Sequence, residues 1–173
     1  MIFREKATSF APVAALAVVL LFGSRTTVLA HGEEHRHAEK PAGHMEAMYQ
    51  VKAQIPEEYR VMDRTPVTPT KQSLAKGKEL FLKQCAACHG QGGKGDGPAA
   101  AGLSTPPANF LDLEHSAIYG PGEKFWLIGN GSPATGMPGF ASQLVPLDRW
   151  HLVNYIYKLQ EDAGGGHQRM HGH

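Results

Sequence analysis

The sequence predicts an all-α domain, and three observations predict it. Two segments repeat apolar residues at the three-and-four spacing of a helix face. No segment shows the alternation of a half-buried strand. The connections between the helical segments are long and rich in glycine and proline, which in a small domain indicates that something occupies its middle and staples it.

The first helix is expected from Leu74 to Cys85, with Thr70 or Ser73 supplying a side-chain oxygen to its free amides. Leu74, Gly77, Phe81 and Cys85 share one face. A glycine inside a helix costs about 1 kcal/mol against alanine, so Gly77 marks a close approach by another element. The second helix is expected from Leu147 to Leu159. Asp148 in its first turn and Lys158 in its last both suit the helix dipole. Two stripes, one through Trp150, Val153, Asn154 and Tyr157 and one through Leu152, Tyr155, Ile156 and Leu159, make a wide buried face. A shorter helix is expected between Pro121 and Ile128, stopped by Gly129.

The ends of the chain read differently. Arg4 and Lys6 precede an apolar run from Ala11 to Phe22, and Val28 and Ala30 stand where a signal peptidase selects small residues before His31. Residues 1–30 therefore read as a secretory signal peptide, with an uncleaved membrane anchor as the alternative. Export places the protein in the periplasm, and membrane contact follows only if that segment is retained. Cleavage removes Arg4, Lys6, Arg25 and Glu5 from the 17 basic and 16 acidic residues, leaving 14 and 15. Near-neutral charge gives no reason to expect nucleic acid as a partner. Residues 31–48, poor in bulky apolar groups, read as a His-rich tail, and 49–69, with Pro56, Pro66 and Pro69, as an irregular strap. Residues 70–162 form the expected domain and 163–173 a Gly/His-rich flexible tail. The tail histidines, among them His31, His35, His37 and His44, have a composition that can bind Cu²⁺, Zn²⁺ or Ni²⁺; solvated tails are the alternative.

The chain holds two cysteines, three positions apart, so no disulfide framework is available. They lie in Cys85-Ala86-Ala87-Cys88-His89, the C-x-x-C-H arrangement of covalent haem attachment. Two thiols one helical turn apart can each add across a vinyl group of one porphyrin, and the following histidine then offers an imidazole to the iron. Three other readings stand beside it. A redox dithiol would want a preceding strand. A zinc site would need His115 or His151 to complete its ligands. The third is coincidence.

The stretch from Leu74 to Leu159 resembles a class I c-type cytochrome domain. The residues that carry the resemblance are Gly77 and Phe81, Cys85-Ala86-Ala87-Cys88-His89-Gly90, Gly95-Asp96-Gly97-Pro98, Gly136-Met137-Pro138, and Trp150 with Tyr155. Gly95-Asp96-Gly97-Pro98 and Pro106-Pro107-Ala108-Asn109-Phe110 resemble the oxidase-associated small cytochrome branch. The resemblance implies a class I cytochrome c fold, three to four helices and long loops wrapped around one covalent haem c. It implies that Gly77 and Phe81 cross the last helix near Tyr155, that the Pro98 carbonyl accepts from His89, and that Trp126 lies against the haem edge, where a plain core tryptophan is the alternative. It also implies Met137, 48 residues after His89, as the second axial ligand; a gap-filling buried methionine is the alternative. His/Met ligation suits an electron carrier and leaves no open site at iron for a small-molecule substrate. The expected function is periplasmic single-electron transfer between redox partner proteins, without catalysis of its own. A haem-bearing subunit of a larger respiratory oxidoreductase is the first alternative, and a haem sensor or enzyme with an open sixth site the second.

Overall fold

The computed structural model describes residues 44–165, which are helical and, within that span, without a β-strand. The helices are α1 (His44–Ala53), α2 (Glu57–Arg60), α3 (Lys71–Gln84), α4 (Ala86–His89), α5 (Leu113–Ser116), α6 (Pro121–Asn130) and α7 (Pro146–Gln160). Four have ten residues or more; α2, α4 and α5 are single turns. The readings of residues 1–43 and 166–173 as signal peptide and tails lie outside the described residues.

The two periodic segments form the centre. The Thr70 side chain accepts from the Ser73 amide at 3.1 Å, so α3 starts three residues before the expected Leu74. Its buried face, Ser73, Gly77, Leu80 and Phe81, lies across α7. A Cβ on Gly77 would stand 2.1 Å from the His151 carbonyl oxygen and 2.7 Å from Tyr155 Cβ, which explains the helix-interior glycine. Phe81, fully buried, meets Tyr155 with ring centroids 5.4 Å apart. On the other side of α7, Trp150 stacks on Phe125 of α6 at 4.2 Å.

The third helix ends later than its first glycine suggests. Gly129 is inside α6, and Gly131 ends it with φ +75°. Gly129 is small for a packing reason, because a Cβ there would meet the Arg149 guanidinium at 2.2 Å.

Residues 44–60 also depart from expectation, since tail and irregular strap give way to α1 and α2. Ile55 is 1% exposed, and Tyr59 stacks on Phe125 at 6.0 Å. A Cβ on Gly122 would stand 2.2 Å from the Tyr59 carbonyl, so α6 is shaped to take α2. Lys52 Nζ pairs with the buried Glu123 at 3.1 Å and donates to the Ile118 carbonyl at 2.5 Å. The Tyr119 hydroxyl donates to the Met48 carbonyl at 3.0 Å.

This junction makes stability depend on pH. Lys124 donates to the carbonyls of Ser116 and Tyr119, and its burial, with Lys52 nearby and Glu123 opposing, pushes its ammonium down to about 8. A folded pKa below the unfolded value means the folded state releases a proton first, so stability rises with pH from about 8 toward 10.5. Burial, with Glu123 nearby, pushes the Tyr119 and Tyr157 hydroxyls up to about 12, so stability falls again once unfolded tyrosine ionises, above about 10. Thermal unfolding at stepped pH is expected to show a maximum between those limits. Lys124→Met is expected to flatten the rising side and keep the fall; a rise that survives it would place the proton elsewhere.

Candidate functional site

The site is built at the end of α3. Cys85 closes α3, its amide bonded to the Phe81 carbonyl at 2.8 Å, and its own carbonyl accepts from Cys88 and His89 at 3.1 and 2.9 Å. One turn thus places two thiols and an imidazole together. A lone turn leaves its carbonyls without helical partners. Here the following loop takes all four: Gly90 N bonds Ala86 O, Ala99 N bonds Ala87 O, Gly97 N bonds Cys88 O and Gly95 N bonds His89 O, at 2.8–3.0 Å. The loop must approach closely to do this. A Cβ on Gly97 would stand 2.3 Å from the Ala87 carbonyl, and Gly90 and Gly95 hold φ +73° and +77°. The Gly95-Asp96-Gly97-Pro98 motif is therefore the cap of the cysteine-bearing turn.

His89 Nδ1 lies 3.1 Å from the Ala108 carbonyl. A carbonyl can only accept, so Nδ1 carries the proton and Nε2 presents a lone pair. Burial pushes the imidazole below its usual pKa, against the opposing effect of the Ala108 bond, and favours the neutral form a metal requires. The ring stacks on Phe110, centroids 4.6 Å apart and planes inclined by 21°. The expectation for Pro98 is corrected here: the acceptor is Ala108, and Pro98 is exposed. The physical reason is that the amides of Gly97 and Ala99, on either side of Pro98, are tied back to α4, while the imidazole faces the 107–110 segment.

Cys85 and Cys88 form no disulfide. Burial, with Cys88 adjacent, pushes the Cys85 thiol up to about 12, and the strand a redox dithiol would want before it is absent among the described residues. The zinc reading is not supported either: His115 and His151 place Nδ1 on Asp112 and on the Ser73 hydroxyl, both at 2.8 Å, and neither stands with the cysteines as a metal-holding group. Among the described residues no group of three or more His, Cys, Asp or Glu side chains is placed to hold a metal ion.

Met137 is half-buried on the loop after α6. Ser132 and Met137 exchange both backbone hydrogen bonds, at 2.9 and 3.2 Å, in an isolated antiparallel bridge. A Cβ on Gly131 would stand 2.4 Å from the Met137 carbonyl, and one on Gly139 2.6 Å from the Gly129 carbonyl. The amides of Phe140 and Ala141 then bond the Ile128 and Gly129 carbonyls at 2.9 and 3.0 Å. The loop is pinned to the end of α6 on both sides of the methionine. Trp126 is half-buried on α6, its carbonyl accepting from the Asn130 side chain at 2.9 Å.

The donor set fits a haem. Two thiols a turn apart, a neutral imidazole with Nδ1–H committed to a carbonyl, and a thioether on a pinned loop are the groups that hold a c-type haem and its iron. Residues 72–156 match the family described as cytochrome c oxidase, cbb3-type, subunit III, and this part of the chain is a class I c-type cytochrome domain, a module of electron transfer. Among curated proteins the chain is 33% identical to the thiosulfate dehydrogenase of Stutzerimonas stutzeri, over 48% of this chain and 26% of that protein. It is 34% identical to the dihydro-heme d1 dehydrogenase of Pseudomonas aeruginosa, over 49% of this chain and 15% of that protein. The chain thus spans about a quarter or less of the length of these relatives. A solved reducing HAO-like protein complex of Kuenenia stuttgartiensis has a chain that aligns with a TM-score of 0.48 at 28% identity, covering 54% of this chain and 46% of that one.

Among the described residues, no helix is long and apolar enough to cross a membrane. Sequence reasoning missed Ala108 and Phe110 as site residues. The signal for them was the pair Gly93 and Gly95, whose positive φ lets the backbone at 107–110 come close.

Proposed function

We propose that the chain is an exported, single-haem c-type cytochrome that carries single electrons between redox partner proteins. Haem c is attached through Cys85 and Cys88, and His89 and Met137 are the axial ligands. The observation that carries this reading is the capped turn itself, which holds both thiols and a neutral, tautomer-fixed imidazole together. The bound haem supplies reversible one-electron chemistry at iron. The chain's own residues attach it, orient the imidazole and close the second axial position. With both positions filled, no site is left for a substrate at iron, so the chain acts as a carrier. Residues 1–30 direct export to the periplasm, and Trp126 lies against the haem edge.

The second reading, a haem-bearing module of a larger oxidoreductase, is favoured by one observation. Both curated relatives are named as dehydrogenases and are several times longer than the matched stretch. Voltammetry of the isolated holoprotein separates the two. A carrier gives one reversible one-electron wave, unchanged by thiosulfate. A catalytic wave on adding thiosulfate would contradict the carrier reading.

A further inference from the structure

We propose that Phe110 is a positioning residue that sets the rotational angle of the His89 imidazole; this rests on the haem reading of the site. A hydrogen bond from Nδ1 to the Ala108 carbonyl fixes where that N–H points. With the Cβ–Cγ bond it still leaves the ring room to rock. Nδ1 and Nε2 are separated by one ring carbon, and a ring anchored at Cγ and through Nδ1–H can tilt about the line that joins those two anchors. A flat surface beside the ring removes that freedom. Phe110 supplies one, with centroids 4.6 Å apart and planes inclined by only 21°.

Phe110 can act as a reference surface because it is itself held on several sides. Its amide bonds the Gly93 carbonyl at 2.8 Å. A Cβ on Gly93 would stand 3.2 Å from the Phe110 ring, so the ring lies directly on that glycine, whose φ is +74°. Phe81 meets it edge-on at 6.2 Å. The segment turns at Asn109, whose side-chain oxygen accepts from the Leu111 amide at 3.0 Å. Ala108 and Phe110 flank that one residue, so a single rigid segment supplies both the acceptor for Nδ1 and the plane for the ring. An aromatic pair in this geometry adds attraction beyond area burial, which biases the ring toward one tilt.

The plane of an axial imidazole governs how it mixes with the iron d orbitals, and the g values of the ferric protein report it. The test is the low-temperature paramagnetic resonance spectrum of ferric holoprotein for the parent, Phe110→Leu and Phe110→Tyr. Phe110→Leu is expected to keep the low-spin absorption spectrum and shift the g values, and Phe110→Tyr, which restores a flat ring, to return them to those of the parent. Parent-like g values in a low-spin Phe110→Leu protein would overturn the proposal. If Phe110→Leu does not fold, the parent decides. Nuclear Overhauser cross-peaks between the Phe110 ring and the His89 imidazole protons are expected in the reduced, diamagnetic protein, and their absence overturns the stack. In a chain that carries no haem the same cross-peaks read the stack alone, so failure of the haem reading and failure of this proposal are distinguishable.

Discussion

Met137→Ala is expected to turn the protein high-spin and let the reduced iron bind carbon monoxide, while Met137→His keeps it low-spin and CO-insensitive at a lower reduction potential. The direction follows from the ligand, because a thioether opposite histidine raises the potential relative to two imidazoles. The size is on the order of 0.1 V or more, within the roughly 0.8 V that axial ligands span. Absorption spectra of both redox states with and without carbon monoxide, and a redox titration, check both variants. A Met137→Ala protein that stays low-spin and CO-insensitive would mean another side chain holds the second position. The alternative of a gap-filling methionine predicts a different pattern, in which Met137→Ala lowers stability and leaves the spectrum unchanged.

The second large effect concerns the loop that presents the methionine. Gly131 holds φ +75°, and a Cβ there would stand 2.4 Å from the Met137 carbonyl and 2.7 Å from the Gly139 amide. Gly131→Ala therefore adds a backbone cost of about 1–3 kcal/mol, for a φ +75°, ψ −170° conformation that is nearly glycine-only, to an overpacking cost of about 1–3 kcal/mol. A loss of about 2–6 kcal/mol in denaturant unfolding is expected, together with partial loss of the low-spin spectrum as the loop moves off α6. Gly136 is the internal control. Its φ is +74°, yet nothing lies within 4 Å of its added Cβ, so Gly136→Ala is expected to cost the backbone part alone, about 1–2 kcal/mol. Equal losses for the two variants would show that contact with the methionine loop contributes nothing.

The elements that sequence periodicity could find were the ones held by continuous apolar faces. The helices α3 and α7 lie where the spacing of Phe81, Leu152, Val153 and Ile156 puts them, and Gly77 already signalled the crossing at His151 and Tyr155. The α1 helix was not legible for the opposite reason. It is docked by separate polar anchors, Lys52 to the Ile118 carbonyl and Tyr119 to the Met48 carbonyl, which join positions 66 and 71 residues apart and leave no periodic trace. The sequence places the end of α6 at Gly129, and it lies at Gly131. Only packing shows that Gly129 makes room for Arg149 while Gly131 turns the chain.

In the site, the thiols and the imidazole were legible because their spacing is itself the chemistry. The partner of His89 was not, because a backbone carbonyl is chemically the same on every residue. Choosing Ala108 over Pro98 requires knowing that the loop from Gly95 to Ala99 is already committed to capping α4. Phe110 was visible as part of a resemblance to known cytochromes, but its face-to-face placement on His89 is a property of the folded chain.

Everything proposed for this chain depends on one covalently bound haem with His89 and Met137 on its iron. The visible absorption spectrum of the protein produced with a haem-attachment system, oxidised and reduced, with and without carbon monoxide, tests it most directly. A low-spin c-type spectrum that carbon monoxide does not change is expected. A high-spin spectrum, ready carbon monoxide binding, or a protein without haem would contradict it.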